Sequence, residues 1–284
     1  MSDQFKIEQR KFFDRWVMAR KKLEASDFFS QFFTRFYNIH IEYSVVELVN
    51  KASVRLLLDC GCGTGELCFL AASKKDDIHI IGIDISRNSI QQAQSLALSK
   101  NTKQKLSFIV GDIEKLPFRQ NVFDATLMVN VLHHLASLQR LEQVLEQLHK
   151  TIKKRKYLLI IDCVLNNPLI FLYRKFWSLI PDYAKHSLTE DLVGPSGEIP
   201  FKLPFTAGML RNYLALANFN LVREERQHLF IFIFYYMYKV IHGMRRLFPA
   251  SVLFSLYQLE RVLLERSPVR ALSHVITYYC ECLD

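Results

Sequence analysis

Leu56-Leu57-Leu58-Asp59-Cys60-Gly61-Cys62-Gly63-Thr64-Gly65-Glu66 runs from apolar residues into an acid and then through three glycines spaced two apart. A strand entering such a loop, with a helix leaving it, carries bare backbone up to a ligand at the helix N-terminus. Side chains at the glycine positions would block that approach. The spacing Gly61-x-Gly63-x-Gly65 is not the G-x-G-x-x-G of dinucleotide-binding folds, whose third glycine falls one residue later. Asp59, just before the turn, would repel a pyrophosphate and favour a ligand that carries an amine.

Outward from this loop, apolar runs alternate with helical patterns. Strands are expected at Val54–Asp59, His79–Asp84, Leu106–Val110, Phe123–Val129 and Tyr157–Asp162, with helices at Glu66–Ser73, Ser86–Ser99 and Leu138–Lys150. Such alternation specifies a parallel sheet covered by helices, with the ligand site at the carboxyl ends of the strands. Thr206 is an expected N-cap for a helix over 205–219, and Ser273–Cys282 is the last strand candidate.

Three further segments fall at strand ends. Asp84 closes Ile80-Ile81-Gly82-Ile83-Asp84, where a carboxylate can accept both hydroxyl hydrogens of a ribose or cap the following helix. Gly111-Asp112-Ile113 precedes Glu114-Lys115-Leu116-Pro117-Phe118. Val129-Asn130-Val131-Leu132-His133-His134-Leu135 follows the fourth strand.

With the glycine loop, these segments resemble the class I S-adenosyl-L-methionine (SAM)-dependent methyltransferases. The histidine segment resembles the corresponding one in the ubiquinone- and menaquinone-biosynthesis type. The resemblance spans about residues 50–165, with weaker support to 225. It implies an α/β, Rossmann-like, seven-stranded, mostly parallel sheet flanked by helices, with helical N-terminal and C-terminal cap insertions. It also implies the SAM amino-acid moiety over Gly61, Gly63 and Gly65, with Asp59 near its ammonium. Asp84 then meets the ribose, Asp112 the adenine amino group and Ile113 the adenine face; Cys62, Ile85 and Asn130 complete the expected cofactor-binding set. His133 and His134 are candidate general bases, since histidine titrates near neutrality. Lining the pocket and packing beneath it is the competing role for the pair.

The boundaries that follow are an N-terminal helical cap over 1–50, a SAM-binding core over 51–230 with an insertion at 165–204, and an apolar helical insertion with the final strand over 231–284. The net charge is +9, which suits either an anionic partner or a generally basic protein. Nucleic acid is disfavoured, because Asn130 is followed by Val131-Leu132 and not by the Pro-Pro-aromatic run of methyltransferases acting on nucleobase amines. No separable RNA-binding module stands out either. The six cysteines form no CxxC pair and show no zinc spacing with histidine, so no metal is expected and reduced thiols in the cytoplasm fit. No signal peptide or membrane span is expected, since the longest apolar run, Leu229–Tyr238, is too short to cross a bilayer.

Residues 1–50, 165–204 and 229–266 are rich in Phe, Tyr and Leu. They fit a hydrophobic small-molecule acceptor, a peripheral membrane contact through 229–266, or simply a thick core. The leading expectation is a SAM-dependent methyltransferase acting on a small apolar or amphipathic acceptor of lipid, quinone or secondary-metabolite type. The alternatives are an RNA or protein methyltransferase, and a SAM-binding scaffold without catalysis.

Overall fold

The computed structural model describes residues 6–14, 28–100, 102, 105–163, 203, 205–227, 259, 273 and 275–284. Helix α1 covers residues 6–14. There follow α2 (Phe28–Val49), β1 (Leu56–Cys60), α3 (Glu66–Lys74), β2 (His79–Asp84), α4 (Arg87–Ser99), β3 (Leu106–Val110), β4 (Phe123–Val129), α5 (Leu138–Thr151), β5 (Ile152–Cys163), α6 (Ala207–Leu216), β6 (Phe219–Gln227) and β7 (Val275–Cys282).

The strands form one seven-stranded sheet in the order β3-β2-β1-β4-β5-β7-β6. Pairs from β3 to β5 are parallel, whereas β7 runs antiparallel between β5 and β6. The strand order reverses between β1 and β4, so a crevice opens there at the carboxyl ends.

Both faces of the sheet are covered, which explains why β1 and β4 read as almost unbroken apolar runs. Successive side chains point to opposite faces. Leu58 and Cys60 therefore pack with Leu141, Val144 and Leu148 of α5 and Leu210 of α6. Leu57 turns the other way, among Val45 and Leu48 of α2, Ala71 of α3 and Ile90 and Ala93 of α4. The helices start where the sequence supplies caps: Ser86 Oγ accepts from Ser89 N, Ser137 Oγ from Arg140 N, and Thr206 Oγ from Met209 N.

The predicted strands and helices of the core are present, with shifts at their ends. The largest is in β5, which begins at Ile152 and not at Tyr157. The basic run Lys153-Lys154-Arg155-Lys156 hid this extension. Its register against β4 breaks there, and Arg155 takes a left-handed backbone at φ 59°. Asp84 does not cap α4; Ser86 does. The helix expected at Leu169–Leu179 lies outside the described residues, as does 229–266 apart from Leu259.

Asp124, at the start of β4, ties the amino-terminal edges of three strands together. Its Oδ2 accepts the Arg55 and Leu56 amides at 2.9 Å each, and its Oδ1 accepts from Lys153 Nζ at 2.8 Å. Burial alone would raise its pKa; Lys153 and the two amides overcome that and hold the carboxyl below its ordinary range. Asp124→Ala should therefore lose about 1–3 kcal/mol of stability at pH 7. A depressed acid stabilises above its unfolded pKa and loses that contribution as pH falls through its folded one. Urea unfolding should show the gap between wild type and variant shrinking below about pH 4.

Candidate active site

The glycine loop is held from below by β2. Gly61 N and Cys62 N donate to Ile83 O at 2.7 and 3.1 Å, and Gly63 N donates to Asp84 Oδ2 at 2.9 Å. Gly61, Gly63 and Gly65 all have positive φ, at 76°, 53° and 82°. Their roles differ. A Cβ on Gly61 would collide with Val131 Cγ2, whereas a Cβ on Gly63 would meet nothing within 4 Å among the described residues. The space above Gly63 is open, and it lies beside two acids.

Asp59 is one of them. It is buried, and Cys68 Sγ donates to its Oδ2 at 3.2 Å. Burial pushes its pKa up to about 7; the Cys68 hydrogen bond opposes this and the charge of Asp84 adds to it. Asp84 is the other. Burial raises it also, while the amides of Ser86 (2.8 Å) and Gly63 (2.9 Å) partly restore its charge. An acid raised to about 7 and a second acid raised by burial, beside the cradle, suit a ligand that brings a positive charge and hydroxyl donors.

The next two strand ends complete the rim. Asp112 Oδ1 accepts from Glu114 N at 3.0 Å, capping the 3-10 turn Ile113–Lys115, and from Lys6 Nζ at 3.0 Å. Ile113 is partly buried against the core. Asn130 is left-handed at φ 57°, and its amide donates to Ile161 O at 2.8 Å.

Helix α1 lies across these loops. Besides Lys6 on Asp112, Lys6 also reaches Glu114, which Arg140 Nη1 holds at 2.9 Å through both carboxylate oxygens. Arg10 Nε donates to Ile85 O at 3.1 Å, and Gln9 Nε2 donates to His134 O at 3.1 Å. Ser86 Oγ and Asn88 N both donate to Asp14 Oδ1, at 2.5 and 3.1 Å. The aromatic pattern marked this segment as helical cap. Its polar contacts join residues 72 to 125 positions apart, which no local pattern encodes.

The two histidines separate in role. His134 packs, its ring 4.9 Å edge-on from Phe13 and 3.9 Å from the His133 ring. His133 meets Asp162, with Nδ1 2.5 Å from Oδ1. Asp162 is fully buried at the carboxyl end of β5. Sequence reasoning passed over it, although it closes an apolar strand just as Asp84 does. The thiol of Cys163 lies within 4.8 Å of the His133 and Asp162 ligand atoms, so the three could in principle surround an ion. The His133–Asp162 hydrogen bond occupies two of those donor atoms.

Residues 53–193 match the family model of a methyltransferase domain, and the chain belongs to that family. It is 41% identical over 81 residues to ajmaline N-methyltransferase of Rauvolfia serpentina, 28% of each chain. It is 29% identical over 106 residues to 2-phytyl-1,4-naphtoquinone methyltransferase of Nostoc sp., covering 37% of this chain and 45% of that one. The chain thus spans less than half the length of both curated relatives. Among solved structures, magnesium protoporphyrin IX methyltransferase of Synechocystis with bound SAH superposes with a TM-score of 0.64 at 14% identity, over 97% of this chain and 99% of that one. That likeness concerns the fold, which is the class I, Rossmann-like arrangement.

Gly61→Ala and Gly63→Ala should therefore behave oppositely. Both add left-handed strain, and the first also drives a methyl into Val131, so it should lower the melting temperature by several degrees more than the second. The second adds only left-handed strain of about 1–2 kcal/mol but fills the cradle. Thermal melts paired with titration of S-adenosyl-L-homocysteine (SAH) check this. A Gly63→Ala protein that binds SAH as wild type does would remove the cradle from the site.

Proposed function

We propose that this chain binds SAM at the glycine loop and transfers its methyl group to a small, apolar or amphipathic acceptor. The observation that carries the reading is the open space above Gly63, flanked by Asp59 and Asp84 at the point where the strand order reverses. In this reading Gly61, Cys62, Gly63 and Gly65 carry the amino-acid end, and Asp59 answers its ammonium. Asp84 takes the ribose hydroxyls, Ile85 and Ile113 flank the adenine with Asp112 at its amino group, and Asn130 borders the pocket. When bound, SAM supplies a methyl group on a cationic sulfur that leaves readily. The residues of this chain need chiefly to align the acceptor and exclude water, since orientation alone can contribute several kcal/mol.

The relatives' names, ajmaline N-methyltransferase and 2-phytyl-1,4-naphtoquinone methyltransferase, support a small-molecule acceptor. The aromatic sequence of 165–204 and 229–266 supports the same choice and a peripheral membrane contact through 229–266 in a cytoplasmic protein. None of the helices among the described residues is long and apolar enough to cross a membrane. Transfer of radiolabelled methyl from SAM should be seen with apolar amines and quinols and not with RNA. Methylation of RNA alone would favour the nucleic-acid reading. SAM binding with no transfer to any class would favour a scaffold.

Asp59 gives the cofactor assignment a pH signature. An acid raised to about 7 is largely protonated at pH 6. An arriving ammonium favours its ionised form, so binding must release a proton, and affinity must rise with pH until Asp59 is ionised. Calorimetric titration with SAH in two buffers of different ionisation heat should show proton release at pH 6 that fades by pH 8. Pure heat of binding at pH 6 would separate Asp59 from the ammonium.

A further inference from the structure

The carboxylate of Asp162 collects five donors. Oδ2 accepts the amides of Val131 (3.1 Å), Leu132 (2.7 Å) and His133 (3.4 Å); Oδ1 accepts Cys163 N (2.7 Å) and lies 2.5 Å from His133 Nδ1. Burial alone would raise this acid, but the charge and hydrogen bond of His133 and the Cys163 amide hold it below its ordinary range. Four backbone amides donate to it and none can accept a proton from it, so it is held as a carboxylate and can only accept. The proton between it and the imidazole belongs to Nδ1, which leaves the lone pair of neutral His133 on Nε2.

That second nitrogen has no hydrogen-bond partner among the described residues, and the side chain keeps 11% of its surface exposed. The turn that carries it is the one whose Val131 lies against Gly61. Cys163 on β5 and His134 in the same turn are the other titratable groups around it.

We propose that Asp162 is a positioning residue that fixes His133 as the proton acceptor for an acceptor nitrogen or oxygen that carries a hydrogen. The proposal rests on the methyl-transfer reading and narrows its substrate class to N–H and O–H nucleophiles. As the acceptor atom takes the methyl group through its lone pair, the carbon–sulfur pair leaves with the thioether. The acceptor's own proton passes to Nε2. The imidazolium so formed is balanced by Asp162, which stays ionised, and its proton then leaves to water.

The substitution Asp162→Asn separates this role from packing. Three backbone amides retain the amide oxygen at the Oδ2 position, which turns the –NH₂ toward His133 Nδ1 and leaves the Cys163 amide without its acceptor, a loss of stability that thermal melts read separately. A donor there reverses the tautomer and puts the hydrogen on Nε2. Long-range proton–nitrogen NMR on histidine-labelled protein reads the tautomer directly at pH 8, and His133→Asn and His134→Asn each identify their own ring among the nine histidines. SAH titration of each protein monitors the cofactor site.

The wild type should show His133 with hydrogen on Nδ1, and Asp162→Asn should shift it to Nε2 with SAH affinity within about twofold of wild type. A wild-type His133 protonated on Nε2, in a chain that binds SAH, overturns the proposal alone, whether or not the variant folds. So does a variant that folds and keeps the wild-type tautomer. A wild type that does not bind SAH overturns the methyl-transfer reading, and the assigned acceptor class with it.

Discussion

Buried carboxylates that gather backbone amides set the shape of this molecule. Asp124 gathers Arg55 and Leu56 at the amino ends of the strands. At the opposite ends Asp84 gathers Gly63 and Ser86, and Asp162 gathers three residues of the turn after β4 together with Cys163. A hydrogen bond to a charged group contributes about 1.5–3 kcal/mol, and leaving either side unpaired in the interior costs as much again. Each loop is therefore fixed to the strand beneath it. The glycine loop cannot lift without exposing Asp84, and the histidine turn cannot lift without exposing Asp162. A cradle made of backbone alone owes its rigidity to this arrangement.

The acids do not share one electrical state. Asp162 has donors enough to remain charged, and it imposes a tautomer on His133. Asp59 has one thiol donor and a second acid as neighbour, and it is held near neutrality. One end of the crevice is thus prepared for a cation and the other for a proton. In the proposed reaction the first would answer the ammonium of the cofactor and the second would take the proton of the acceptor; the turn that carries His133 meets the glycine loop where Val131 lies against Gly61.

Much of this was legible in the residues. The glycine spacing, the acids that close β2 and follow β3, and the hydroxyl cap at Thr206 are local signals whose physics needs no distant partner. What escaped was tertiary. Asp162 looked like the last residue of an apolar strand until the turn thirty positions earlier folded onto it. The start of β5 was masked by four basic residues that a strand at the sheet's amino-terminal rim tolerates, because Lys153 finds Asp124 there. The contacts of α1 with Asp112, Ile85 and Ser86 depend on where a helix lies across a sheet, and aromatic spacing indicates only that the helix has an apolar side.

The central claim is that the cradle at Gly63 holds SAM in one orientation. A crystal structure of the chain with SAH tests it most directly. The amino-acid end should lie above Gly63 with its ammonium toward Asp59, the ribose hydroxyls on Asp84, and the adenine between Ile85 and Ile113. SAH bound away from this crevice, or reversed within it so that the adenine covers the glycines, would contradict it.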